Sequence, residues 1–104
     1  MDSLLFSVSE AFAARINHYR EEPDLRKEAT RRNVRIIPIA QAQSIALKYV
    51  GSNNAFFENI QLYNEVSGKV KSFDFRPVFK MECYANGRSY EVLIDASTGA
   101  IINQ

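Results

Sequence analysis

The sequence itself brings one acidic pair together, Glu82 and Glu91. Asn86-Gly87 lies between two runs that alternate apolar and polar residues. Both positions accept the positive φ of a type I′ turn, so the spacing predicts a two-residue β-hairpin. That loop sets the register. Cys83 falls opposite Tyr90, Met81 opposite Val92 and Phe79 opposite Ile94 on one apolar face. Tyr84 falls opposite Ser89, Glu82 opposite Glu91 and Lys80 opposite Leu93 on a mostly polar one. Two facing carboxylates could share a proton, hold a cation or receive a partner's arginine. The plainer reading is a solvated face on which Lys80, diagonal to Glu91, relieves their repulsion. Lys80, Glu82, Tyr84 and Glu91 are therefore the candidate partner-binding residues, with no catalytic, cofactor or metal role assigned to any of them.

The other reactive side chains are sparse. Cys83 is the single cysteine, which excludes an intrachain disulfide and a thiolate zinc cluster, and its place between Met81 and Ala85 reads as a core thiol. His18 is the single histidine, which excludes two-histidine metal motifs and leaves a surface imidazole. Arg26, Lys27, Arg31, Arg32 and Arg35, offset by Glu28, could hold phosphate, but no aromatic residue interleaves them for base stacking, and nucleic acid is not an expected partner. Asp95-Ala96-Ser97-Thr98-Gly99 offers one carboxylate and two hydroxyls, too few oxygens for calcium. It reads as a structural turn, with Asp95 accepting backbone N–H bonds and Gly99 in the left-handed position. Asn86, Gly87, Asp95, Thr98 and Gly99 are thus assigned to turns. No cofactor is expected.

The elements that must position these residues follow from size and pattern. With 104 residues, 46% of them hydrophobic, and a formal charge of +1, the chain has the content of one modest core and no charge bias toward a polyanion. Residues 20 to 35 are dense in charge, whereas residues 36 to 104 alternate apolar and polar positions. Leu5, Val8, Phe12, Ile16 and Tyr19 recur at three- and four-residue steps, which predicts an amphipathic N-terminal helix with Ser3 as its cap. Pro23 ends that helix or opens a second short one over Asp24 to Asn33. Ala42, Ile45, Ala46, Tyr49 and Val50 share a helical face ending at Gly51. Phe56, Ile60, Leu62 and Val66 read as a strand before a turn at Ser67-Gly68, and Ala100 to Asn103 as a short last strand. Asp2 and Glu10 argue against a signal peptide in this stretch, and no run approaches the roughly 20 apolar residues of a membrane span. The expectation is an α+β fold in two parts: an N-terminal helical arm with a charged linker over residues 1–34, and a helix packed on a small antiparallel meander over 35–104.

The second part resembles a PepSY domain. The resemblance rests on Ile39-Ala40-Gln41-Ala42-Gln43-Ser44-Ile45-Ala46-Leu47, on Pro77-Val78-Phe79-Lys80-Met81-Glu82-Cys83, and above all on Tyr90-Glu91-Val92-Leu93-Ile94-Asp95-Ala96-Ser97-Thr98-Gly99-Ala100-Ile101. It spans the chain from about Arg35 and leaves the N-terminal arm unmatched. It implies a helix on an antiparallel sheet, in a module found mainly in secreted or membrane-attached bacterial proteins, including propeptides of thermolysin-like peptidases. What it implies for function is a non-enzymatic protein-binding module, a peptidase inhibitor or regulator among the roles. The family brings no catalytic residues to carry over. Two expectations follow: a protein partner engaged through the exposed sheet face or an open strand edge, and an extracytoplasmic location, with the cytoplasm left open. The alternative is a structural or assembly domain that dimerises or tethers through the N-terminal helix.

Overall fold

A computed structural model of the chain describes residues 15–52, 55–65 and 75–102. The element order is β1 (Arg15–Glu21), α1 (Leu25–Arg31), α2 (Ile39–Val50), β2 (Phe56–Asn64), β3 (Pro77–Ala85) and β4 (Arg88–Asp95). The strands form one mixed sheet in the order β1-β2-β3-β4. β2, β3 and β4 make an antiparallel meander, and β1 adds to the outer edge of β2 in parallel. The fold class is α+β, with two described helices and a sheet one strand wider than the meander.

β1 corrects the expected N-terminal helical arm. Ile16 and Tyr19, assigned to the end of that helix, lie on a strand, where Ile16 pairs with Phe57 and Tyr19 with Ile60. The three-residue step that suggested a helix comes from an irregularity shared with β2. The register there shifts between Phe57 and Asn59. The extra residue turns both Phe57 and Ile60 to the same face, and Ile16 and Tyr19 follow them across the ladder. Leu5, Val8, Phe12 and the Ser3 cap lie outside the described residues, as do Val66 and the Ser67-Gly68 turn. The helix through which a homodimer or tether was expected is therefore absent at the residues where the structure can test it.

Pro23 follows β1, and the short helix anticipated after it is α1. Its buried residues are Leu25 and Ala29, one turn apart. α2 starts after Pro38, whose φ of -63° suits a helix entry, and stops at Gly51, whose φ of 74° is the left-handed value glycine adopts at little cost. Ala42 and Ala46 give α2 a flat buried strip, and their small side chains let the helix lie close to the sheet. Tyr49, grouped with that face by its spacing, is one of the exposed large hydrophobic residues.

Beneath the helices, Phe57, Ile60, Leu62, Phe79, Met81, Cys83, Val92 and Ile94 have no solvent exposure. They come from the inner face of β2, β3 and β4, and with Leu25, Ile37 and Ala96 they form one continuous core. The Asn86-Gly87 loop has φ values of 55° and 72°, and the pairs across it include Cys83–Tyr90, Met81–Val92, Phe79–Ile94, Glu82–Glu91 and Lys80–Leu93. The final segment makes a single bridge, Ile94–Ile101, in place of the full last strand expected over Ala100 to Asn103; Asn103 is outside the described residues.

The turn after β4 locks the sheet to the helical layer. The Asp95 carboxylate accepts hydrogen bonds from the Ser97 N–H at 2.8 Å, the Ser97 hydroxyl at 2.7 Å and the Thr98 N–H at 3.1 Å. Burial alone would raise its pKa, but these donors outweigh it and hold the carboxyl below its ordinary value. Ala96 N–H then donates to the Pro77 carbonyl, and Ile37 N–H donates to the Ala96 carbonyl, both at 2.8 Å. Gly99 takes a φ of 86°, and a β-carbon there would lie 3.1 Å from Ile45 Cδ1.

Candidate functional site

Alternation along the strands decides which side chains face away from the helices. With Phe79, Met81 and Cys83 buried, Lys80, Glu82 and Tyr84 must point to the opposite side of β3. Gln61 and Asn59 stand beside Lys80 and Glu82 on β2, and Leu93 and Glu91 stand beside them on β4. No described helix covers this outer face. Tyr84 is 50% exposed, and Glu82 and Glu91 are exposed.

The outer face separates the two glutamates. Lys80 Nζ lies 3.3 Å from Glu91 Oε2, the diagonal contact that the hairpin register allows. Glu82 makes no ion pair among the described residues. Its neighbours are amides instead: Asn59, Gln61, Lys80 and Glu82 line a depression of about 130 Å³ in the middle of the face. Beyond Glu82, at the hairpin end, Tyr84 stacks against Phe56 with ring centroids 6.4 Å apart and planes 18° from parallel. The face thus carries a half-exposed aromatic ring at the hairpin end, then a row of Asn59, Glu82 and Glu91, then a row of Gln61, Lys80 and Leu93, with Lys80 reaching diagonally to Glu91.

Lys80, Glu82, Tyr84 and Glu91, the residues singled out from the sequence, therefore share one surface. Sequence reasoning missed Asn59, Gln61 and Phe56. A signal for the first two existed, since each alternates with a buried residue, Ile60 or Leu62. Phe56 carried a misleading signal: it has the spacing of a core residue, but the register shift after Phe57 leaves Phe57 inside and pairs Phe56 with Tyr84.

The remaining chemical candidates are scattered. Cys83 is fully buried, and burial raises its thiol above the usual pKa, which opposes thiolate chemistry. His18 Nδ1 lies 3.8 Å from Glu58 Oε2 on the exposed part of β1, while Asn17 donates to both oxygens of Glu58 at 3.3 Å. The basic cluster is divided among local partners. Arg26 Nε donates to Glu21 at 2.9 Å, Arg31 and Arg32 both engage Glu28, and the Arg32 guanidinium also lies 5.3 Å from the centre of the Phe75 ring. Held by Arg31 first and Arg32 second, the Glu28 carboxyl falls to a pKa of about 2. These pairings engage three of the five basic residues, while Lys27 and Arg35 are exposed. Among the described residues, no group of three or more His, Cys, Asp and Glu side chains could hold a metal ion, and no helix is long and apolar enough to cross a membrane.

Comparison with known families matches residues 36–104 to the peptidase propeptide and YPEB domain, PepSY. The matched stretch includes α2, the whole antiparallel meander and the Asp95 turn, and it excludes β1 and α1. Searches of curated proteins and of solved structures gave no match.

Proposed function

Because the chain belongs to the PepSY family, whose domains are generally non-catalytic propeptide or regulatory modules and typically extracytoplasmic, we propose that it binds a protein partner and restrains a peptidase. The family match carries this reading. Its support in the geometry is the outer sheet face, where Tyr84, Glu82, Lys80 and Glu91 stand on rigid strands clear of any described helix. Rigid placement favours recognition, since a partner meets side chains that need little further ordering. The partner lies against this face, and the buried opposite face supplies only the support. A location outside the cytoplasm, where secreted peptidases act, completes the reading.

The test is a panel of metallopeptidases and serine peptidases assayed with the full chain for inhibition and for a stoichiometric complex. A complex that weakens on changing Glu82 or Tyr84, but not on changing exposed Lys48 of α2, is the expected result. No inhibition and no complex across the panel overturns the peptidase reading.

A further inference from the structure

We propose that the depression between Asn59, Gln61, Lys80 and Glu82 is a receptor for an arginine side chain presented by the partner, with Tyr84 as its stacking wall. This deepens the protein-binding reading above by naming the group that the outer face recognises.

The first observation is the division of the acidic pair. Lys80 neutralises Glu91, while Glu82, opposite it on the neighbouring strand, has no cationic partner among the described residues. A lone carboxylate on a solvated surface would carry no ligand argument by itself. Glu82, however, lines a depression of about 130 Å³ with two primary amides, whose carbonyl oxygens add acceptors to its own. A guanidinium brings five donors in a fixed plane and no acceptor, so it matches a carboxylate flanked by amide oxygens.

The second observation distinguishes a guanidinium from an ammonium. Tyr84 lies two residues beyond Glu82 on the same face, about 7 Å along the strand. Its ring is half exposed and is steadied by Phe56. A planar cation bound at Glu82 can lie against that ring while it donates to the carboxylate; a lysine ammonium has no flat face to use in this way.

The charges facing the site agree with this sign. Lys80 is the nearest cation, and its contact with Glu91 offsets it. On β1, Arg20 pairs with Gln61 and His18 with Asn59. Beside the depression this face carries three described carboxylates, Glu58, Glu82 and Glu91, against two described cations, Lys80 and Arg20. It attracts a single cation without the acidic cluster that would favour a metal.

The test is a backbone-amide NMR titration of the full chain with blocked Gly-Arg-Gly, with blocked Gly-Lys-Gly and blocked Gly-citrulline-Gly as controls. Saturable shifts centred on Asn59, Gln61, Glu82 and Tyr84 are expected with the arginine peptide, with at least fivefold weaker binding of the other two. Glu82→Gln should weaken the arginine peptide at least fivefold, and Tyr84→Leu should erase the preference for arginine over lysine while leaving residual cation binding. Equal binding of the arginine and lysine peptides, shifts centred elsewhere, or no binding overturns the proposal. None of these outcomes depends on a peptidase. Failure of the titration leaves the protein-binding reading standing, and an empty peptidase panel leaves the arginine receptor standing.

Discussion

The β3–β4 hairpin and the β1–β2 pair lie in one sheet but are specified in different ways. Across the hairpin, two residues separate the strands, and the Asn86-Gly87 conformation fixes every pair from Ala85–Arg88 to Val78–Asp95. Across β1–β2, contacting residues such as Asn17 and Glu58 are 41 positions apart, and no turn connects the strands directly. Parallel pairing requires such a crossover, and here α1, α2 and their loops supply it. The register of β1 therefore rests on side chains, with Ile16 against the core, Asn17 on Glu58 and Glu22 as a clamp. Glu22 N–H donates to the Leu62 carbonyl at 2.8 Å, and its carboxylate accepts the Asn64 N–H at 2.9 Å. A locally specified pair has its stability in the core beneath it, whereas a distant pair depends on its anchors.

The largest expected effect tests the core side of that contrast. Phe79 is a fully buried side chain of the hairpin, and Phe79→Ala should cost about 3–5 kcal/mol in urea unfolding, enough to unfold much of the population of a small domain. Leu25, 3% exposed, is the chief apolar anchor of α1 beside β1. Leu25→Ala should cost about 2 kcal/mol, near the lower end for such a change, because a residue at the margin of the core leaves a site that can partly collapse. A Leu25→Ala loss equal to that of Phe79→Ala would show that β1 and α1 are as integral to the core as the hairpin.

The same contrast explains what the sequence revealed. The hairpin pairs, the Gly51 stop of α2 and the Asp95 turn were legible because each is decided within a few residues by backbone chemistry. The polar face was legible as a consequence of the hairpin register, which located Lys80, Glu82, Tyr84 and Glu91. β1 was not. Ile16 and Tyr19 sit three residues apart, a spacing shared by one helical turn and by a strand that follows a bulge. Only the partner strand, far along the chain, decides between the two. Phe56 was obscured by that same bulge, since one inserted residue reverses which face a side chain occupies, whereas Asn59 and Gln61 alternate regularly with Ile60 and Leu62 beyond it.

Acid titration sharpens the comparison at the Asp95 turn, a locally coded element that ties β4 to the helical layer. Asp95→Ala removes the acceptor of the Ser97 and Thr98 hydrogen bonds and should cost about 1–2 kcal/mol at neutral pH. Because the folded-state pKa of Asp95 lies below its unfolded value, its contribution is present above the unfolded value and is lost as pH falls through the folded one. The gap between wild type and Asp95→Ala, followed by thermal unfolding, should therefore narrow on acidification below the ordinary carboxylate range. A gap that stays constant through that range would mean that the carboxylate charge contributes nothing to the turn.

The smallest effect isolates β1. The Tyr19 hydroxyl donates to Glu21 Oε2 at 2.6 Å, and Glu21 also receives Arg26 Nε. Burial is the first cause of the raised Tyr19 pKa and the Glu21 contact the second, so the hydroxyl stays protonated and remains a donor. Tyr19→Phe deletes this one bond while leaving the ring in place and the Arg26–Glu21 pair intact. Global stability should fall by only about 0.5 kcal/mol, since the bond lies at a partly exposed edge. Amide hydrogen exchange is the sharper readout, because edge strands open by local fluctuation well before the whole domain unfolds. Glu22 N–H, bonded to Leu62, should exchange severalfold faster in Tyr19→Phe, whereas Met81 and Val92 in the hairpin should keep their protection. Equal acceleration at all three amides would mean that β1 opens only with the rest of the sheet, so that its distant pairing is as cooperative as the hairpin.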